Sequence, residues 1–226
     1  MWQAVWVGLA GAVVYLDTTA VAQLMICQPL IACPLWGFVI GRPEVGLFFG
    51  IGFQLLWLGS LPVGAARFPE GNLGALIATA IAAGFPAVHA GLPDGAALAG
   101  ATFLGILTAY VGSEVTPLIR KEIASHVEKF VAAAQAGEVC RFRRLFFGAV
   151  GIHAGAGFVM ASVAYLFGSW GLRLGLDLLE LPNLDIAPAL LGAGAAVIAG
   201  RLVSRRNLSY FAVPAIVVLL VGLLWV

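Results

Sequence analysis

The chain has 226 residues, of which 62% are hydrophobic and only 10% are charged, and its formal net charge is +1. Soluble globular domains carry about 25% charged residues, so this composition excludes an ordinary soluble domain. The near-zero net charge also provides no basic stripe for a nucleic-acid partner. We therefore predict an all-α integral membrane protein with about six to eight transmembrane helices.

Apolar segments follow one another along the chain with short polar interruptions. Residues 2–16 form the first segment, which ends at Asp17. Residues 73–92 and 95–112 form two further runs, and because only Pro93-Asp94 divides them they predict a helical hairpin with a very short connection. The last three spanning segments are predicted for residues 145–167, 182–200 and 208–226.

The stretch 27–72 differs from a plain pair of membrane helices. Gln28-Pro29 interrupts its first apolar half, and Gln54 and residues 59–64 interrupt its second half. Proline and glycine free backbone groups that lipid cannot satisfy, so such segments must face protein or a water-filled cavity. We predict interrupted or re-entrant hairpins around residues 20–66, which are a sequence indication of a transporter's substrate site.

The segment 114–144 holds half of the chain's 12 basic residues together with four glutamates. Apolar residues recur within it at helical spacing, which predicts an amphipathic helix at the membrane surface. Such a helix is either a docking surface for cytoplasmic subunits or a solvated connector between two bundles. We divide the chain into an N-terminal membrane bundle at 1–113 that contains the substrate-site motif, a cytoplasmic amphipathic connector at 114–144, and C-terminal membrane helices at 145–226.

The basic residues also predict the orientation in the membrane. A second basic cluster lies at Arg201, Arg205 and Arg206, two predicted crossings after the connector. The positive-inside rule then puts 114–144 and 201–206 on the cytoplasmic side. The C-terminus is expected outside.

The embedded polar residues are few and mostly uncharged, and no nucleotide-binding glycine loop, dinucleotide fingerprint or metal-ligand spacing accompanies them. We therefore expect no cofactor and no metal. Neutral amides near Trp36 and Trp57 suit a neutral polyol, which needs hydrogen-bond partners and an aromatic face. Interhelical hydrogen bonding without a ligand is the alternative for both glutamines. The candidate substrate-binding residues are Asp17, Gln28, Gln54, Gly59 and Ser60.

The stretch 27–72 also contains a family pattern, a proline-led apolar motif followed by spaced glycines and a proline-containing turn. The matching residues are Pro29-Leu30-Ile31-Ala32, Gly37, Gly41, Gly46, Leu58-Gly59 and Pro62-Val63-Gly64-Ala65. In these residues the chain resembles the membrane-embedded IIC component of the mannose/fructose/sorbose family of the bacterial phosphotransferase system.

The resemblance implies a sugar-translocating subunit in the bacterial cytoplasmic (inner) membrane. It implies association with a IID membrane subunit and with cytoplasmic IIA and IIB phosphocarrier proteins, and we expect an oligomer in contact with membrane lipid. The resemblance also implies that the chain is not an enzyme by itself, because the phosphohistidine chemistry belongs to separate soluble subunits.

The chain departs from the family pattern within the candidate site. Gln28 stands where family members usually have Arg, Gln54 where they have Glu, and Ser60 where many have Asp. A second hypothesis is therefore a non-transporting membrane interaction or regulatory protein that keeps the IIC fold. A third, an ion-coupled carrier acting alone, is disfavoured by the scarcity of embedded carboxylates.

Overall fold

A computed structural model describes residues 2–58 and 67–179 of the chain. Within these ranges the regular structure consists of seven helices and no strand, which confirms the predicted all-α fold. The helices are α1 (Trp2–Thr19), α2 (Pro29–Val39), α3 (Pro43–Trp57), α4 (Gly71–Ala82), α5 (Gly95–Ala124), α6 (Val127–Gln135) and α7 (Val139–Leu179).

Two helices of the described part, those beginning at Gly95 and at Val139, are long and apolar enough to cross a membrane. Helix α7 has 41 residues, and at ~1.5 Å per residue it is about 61 Å long. A hydrocarbon core is ~30 Å thick, so α7 extends well beyond it.

Helices α2 and α3 form a tight hairpin whose turn contains Gly41 at a φ of +71°. Both helices begin with proline, which is preorganised for the first helical position. They pack through glycines, since a Cβ on Gly46 would collide with the Cys33 carbonyl oxygen. Helix α2 has 11 residues and α3 has 15, so they are about 16 and 22 Å long. Neither is long enough to span a ~30 Å hydrocarbon core, which confirms the prediction of interrupted hairpins in this region.

Helix α1 packs along α7, again through small residues. A Cβ on Gly8 would overlap the Ser162 side chain, and the Ser162 hydroxyl donates to the Ala4 carbonyl at 3.1 Å. The Tyr165 hydroxyl donates to Gln3 Oε1 at 2.8 Å. These polar contacts join α1 to α7, and both helices also expose large hydrophobic side chains.

Helix α4 lies at the centre of the bundle, and every residue from Leu73 to Ala82 is buried. Its connection to α5 covers residues 83–94 and is longer than the very short connection that the sequence predicts. Two arginines donate hydrogen bonds to carbonyl groups of this connection. Arg42 donates to Ala83 O at 3.2 Å, Phe85 O at 2.8 Å and Gly91 O at 3.3 Å, and Arg173 donates to Gly84 O at 3.1 Å.

The predicted amphipathic segment 114–144 is divided among three helices, the end of α5, the whole of α6 and the first turns of α7. Helix α5 continues to Ala124, and α6 begins at Val127 after a break at Ser125 and His126. The Ser125 hydroxyl donates to the Glu122 carbonyl at 2.6 Å, and His126 Nδ1 lies 3.0 Å from the same oxygen. These bonds satisfy a carbonyl group near the end of α5, where the helix no longer supplies a partner.

Candidate substrate site

A polar cavity of about 280 Å³ lies where the α1–α2 loop, the end of α3 and the start of α4 meet. Three predicted site residues, Asp17, Gln28 and Gln54, line it. Gly59 and Ser60 lie outside the described residues. The other lining residues are Thr18, Gln23, Met25, Cys27, Trp57, Leu58, Phe68, Pro69, Glu70, Gly71 and Asn72.

The structure brings the two predicted glutamines together. Gln28 directly precedes α2, and Gln54 lies in the last turn of α3. Gln54 Nε2 donates to Gln28 Oε1 at 3.2 Å, and Gln54 Oε1 accepts from the Leu30 amide at 3.3 Å. Each side-chain amide has two donor hydrogens and an oxygen with two lone pairs, so both glutamines retain capacity for further hydrogen bonds.

Asp17 lines the cavity, but both of its oxygens are engaged by the backbone. Oδ1 accepts from the Leu24 amide at 2.6 Å, and Oδ2 accepts from the Cys27 amide at 2.8 Å. The loop that it holds contains Ala22, Gln23 and Met25 at φ values of 61°, 49° and 63°. Positive φ costs energy for non-glycine residues, so Asp17 stabilises a strained wall of the cavity.

Glu70 also lines the cavity, although the sequence did not single it out, and Trp57 lines it beside the glutamines as the sequence predicted. Glu70 is only 1% exposed, and its Oε1 accepts from the Thr116 hydroxyl at 2.6 Å. Among the described residues, Glu70 Oε2 and Trp57 Nε1 are buried without a hydrogen-bond partner. Two residues that line the cavity therefore each carry a buried polar atom that needs a partner, an acceptor on Glu70 and a donor on Trp57.

A signal for Glu70 was present in the sequence, because a carboxylate directly before an apolar helix suits its N-terminus. The neighbouring Asn72 also contributes to the site. Its Nδ2 lies 3.3 Å from both Thr18 Oγ1 and Cys27 Sγ, which links α4 to α1 and the α1–α2 loop. Trp36, by contrast, lines a separate cavity of about 380 Å³ with Gln3 and Trp6, so only Trp57 flanks the glutamines.

The charges of the cavity lining are acidic. Asp17 and Glu70 line it, and no Lys, Arg or His is among its lining residues. Arg67 pairs with Glu114 at 3.0 Å, and Arg120 lies 5.7 Å from the centre of the ring of Phe68, which is a lining residue. The described residues also contain no cluster of metal ligands. The cavity suits a ligand with hydroxyl groups and no negative charge.

An all-helical bundle with long apolar helices, a short helical hairpin and a polar cavity at the helix ends defines a class, the all-α membrane proteins with a polar site. Comparison with known families then identifies the particular family. The model described as "PTS system sorbose-specific iic component" matches residues 1–223. The chain belongs to this family of phosphotransferase-system IIC components.

Curated relatives match a shorter stretch. The sorbose-specific EIIC component of Lacticaseibacillus casei is 32% identical over 75 residues, which are 33% of this chain and 25% of the relative. The mannose-specific EIIC component of Escherichia coli (strain K12) is 36% identical over 66 residues, 29% of this chain and 25% of the relative. The match thus spans about a quarter of the relatives' length.

A solved structure described as a membrane protein has the same fold. It superposes with a TM-score of 0.71 and covers 99% of this chain and 90% of its own. At 19% sequence identity, this likeness shows the fold alone.

Proposed function

We propose that this chain is the sugar-translocating IIC subunit of a phosphotransferase-system transporter, which binds a hexose-like sugar and passes it inward for phosphorylation by partner subunits. The observation that carries the proposal is the cavity at the broken helices, with Glu70 Oε2 and Trp57 Nε1 both buried and unpaired among the described residues. Hydroxyl groups both donate and accept, so one sugar could satisfy both atoms.

The size and lining of the cavity support a single sugar ring. Its volume of about 280 Å³ is at the small end of ligand sites. The Trp57 ring offers an apolar face for the C–H surface of a sugar, while Gln28 and Gln54 offer amide groups beside it. Hydrogen bonds to a buried carboxylate are stronger than neutral ones, so Glu70 is the strongest acceptor for a sugar hydroxyl.

The proposed function also includes partner subunits and an orientation in the membrane. The chain would act with a IID membrane subunit and with cytoplasmic IIA and IIB phosphocarrier proteins, as an oligomer in the bacterial inner membrane and without catalytic activity of its own. Residues 114–144 and 201–206 would face the cytoplasm and the C-terminus the outside. The connector 114–144 would then separate the site-bearing segment 1–113 from the helices of 145–226.

A non-transporting interaction protein is the second candidate. The observation that favours it is the internal pairing of the predicted site, because Gln54 bonds Gln28 and Asp17 bonds the backbone of its own loop. In that case the glutamines are structural, and the loss of the family's charged residues at these positions reflects the loss of transport.

Equilibrium sugar binding to the purified membrane complex, co-expressed with its partner subunits, separates the two candidates. Mannose and sorbose are the first probes, because the relatives are named for them. Gln54→Leu should weaken binding by about ten- to a hundred-fold, at ~1.4 kcal/mol per factor of ten. Gln54→Glu, which restores the residue usual in the family, should strengthen it.

The matched control is Gln135→Leu, which replaces an exposed glutamine at the end of α6. It should leave the affinity unchanged. Unaltered affinity in both Gln54 variants, with thermal stability lowered in Gln54→Leu, would reject the sugar site. The glutamine pair would then be assigned to helix packing.

A further inference from the structure

A second cavity, remote from the sugar site, lies between the end of α5, helix α6 and the first turns of α7. Its volume is about 160 Å³. The floor is apolar, and Arg144 and His126 are the lining residues that carry a basic group. The floor residues are Ile123, Phe130, Leu145, Gly148, Ala149 and Ile152.

The shape of this cavity is open on the α7 side. A Cβ built on Gly148 meets no atom within 4 Å, so unoccupied space adjoins the helix there. The ring of Phe130, a lining residue, packs edge-on against Phe142 of α7 with ring centres 5.7 Å apart. The cavity is therefore a short apolar slot with a preformed aromatic wall and one accessible side.

Arg144 is the distinctive charge of the slot. Within the described ranges it makes neither an ion pair nor a hydrogen bond, whereas Arg141, three residues earlier, pairs with Glu138 at 3.0 Å. Arg144 also lines the adjoining surface recess around Gly137 and Cys140. An exposed guanidinium thus stands between an apolar slot and solvent, and it has capacity for an anion.

The length of α7 allows Arg144 and Arg173 to lie at opposite headgroup regions of a bilayer. Between Arg144 and Arg173 the helix rises about 43 Å, close to the ~40–45 Å thickness of a bilayer with its headgroup regions included. Exposed Phe146 and Phe147 follow Arg144, and exposed Trp170 precedes Arg173. Tryptophan is enriched at the membrane interfaces, so Trp170 supports an interface position for the Arg173 end of α7.

We propose that this slot binds an anionic phospholipid, with part of an acyl chain against Ile123 and Leu145 and the headgroup phosphate on Arg144. The complementarity is of two kinds, an apolar floor for the chain and an unpaired cation for the phosphate. Basic pockets between membrane helices hold anionic headgroups in the same way. An acidic surface of a soluble protein could pair with the Arg144 guanidinium but would leave the apolar slot empty.

The test measures phosphatidylglycerol retained by the intact protein, by native mass spectrometry after extraction from nanodiscs of phosphatidylcholine with phosphatidylglycerol. Arg144→Gln should reduce retention about five-fold, the factor that corresponds to ~1 kcal/mol for a basic residue at an anionic surface. Arg143→Gln is the matched control, because Arg143 is exposed but does not line the slot. It should retain the lipid as the unaltered protein does.

A second variant tests the acyl chain independently of charge. A Cβ at Gly148 meets no atom within 4 Å, so Gly148→Leu should extend into the slot and expel the lipid while leaving the thermal stability in phosphatidylcholine nanodiscs unchanged. Equal retention in all four proteins would overturn the proposal. Two other outcomes would also overturn the proposal, a loss of lipid retention in Arg144→Gln alone and displacement of the lipid by glycerol 3-phosphate at equal concentration. Either would show a site for a headgroup or an acidic protein that has no acyl slot.

Discussion

Thr116→Val tests whether the buried chain of hydrogen bonds behind the candidate site stabilises the protein. The Thr116 hydroxyl donates to Glu70 at 2.6 Å and lies 2.8 Å from the Tyr15 hydroxyl, and both bonds are buried. A bond to a charged group contributes ~1.5–3 kcal/mol and a neutral one ~0.5–1.5 kcal/mol. Valine has nearly the same shape, so we expect a loss of about 2–4 kcal/mol in the free energy of unfolding.

The assay is thermal unfolding of the purified protein in one detergent, followed by intrinsic fluorescence. For a chain of this size the loss corresponds to a fall in Tm of roughly 4–16 °C. Thr102→Val is the matched control on the same helix, because the Thr102 hydroxyl donates only to the Leu98 carbonyl four residues earlier at 2.8 Å. That local bond adds little to helix stability. Equal shifts for the two variants would refute a stabilising role for the chain from Tyr15 to Glu70.

Three further outcomes are expected. Gly46→Ala should destabilise the protein by ~1–3 kcal/mol, because its Cβ would collide with the backbone of α2. The control Gly151→Ala places its Cβ in open space and should leave the stability unchanged. Equal unfolding temperatures for the two variants would argue against the hairpin packing. Arg42→Gln should lower Tm more than Arg67→Gln, since Arg42 donates to three carbonyl groups while Arg67 forms one exposed ion pair worth ~0–1 kcal/mol. The opposite order would contradict this account of the α4–α5 connection. A cysteine at Ser125 should react with impermeant maleimide in inverted vesicles and not in intact cells, and labelling from outside would reverse the proposed orientation.

The fold class was predictable because it follows from apolar content, and the broken hairpin was predictable because proline and glycine act locally. Gly46 and Gly50 of α3, four residues apart, both lie against α2. The same spacing at Gly151 and Gly155 meets no neighbour among the described residues. Spacing alone does not say which helix lies opposite, so glycine pairs on α7 gave the same signal without a contact.

The candidate site was predictable only in part, for a reason of geometry. Gln28 and Gln54 are conspicuous because they are amides in apolar runs, and the structure brings them together. Glu70 stands in a stretch of the sequence that looks like a polar surface loop, yet it is buried because Thr116 and Tyr15, far away in the chain, converge on it. Asp17 was found by its residue type, but its engagement by Leu24 and Cys27 depends on a loop conformation that the sequence does not reveal.

Protection of a single thiol by sugar tests whether the polar cavity lined by Gln28 and Gln54 is the sugar site. Met25 lines the candidate site and is 60% exposed, so a Met25→Cys variant, in a Cys140→Ser background that removes the exposed native thiol, carries a reporter at the mouth of the cavity. We expect saturating hexose to slow the maleimide modification of this cysteine several-fold in the assembled complex, while a cysteine at Gln135 reacts at an unchanged rate. Equal rates at the Met25 position with and without a sugar that the complex binds would place the sugar elsewhere and contradict the proposed site.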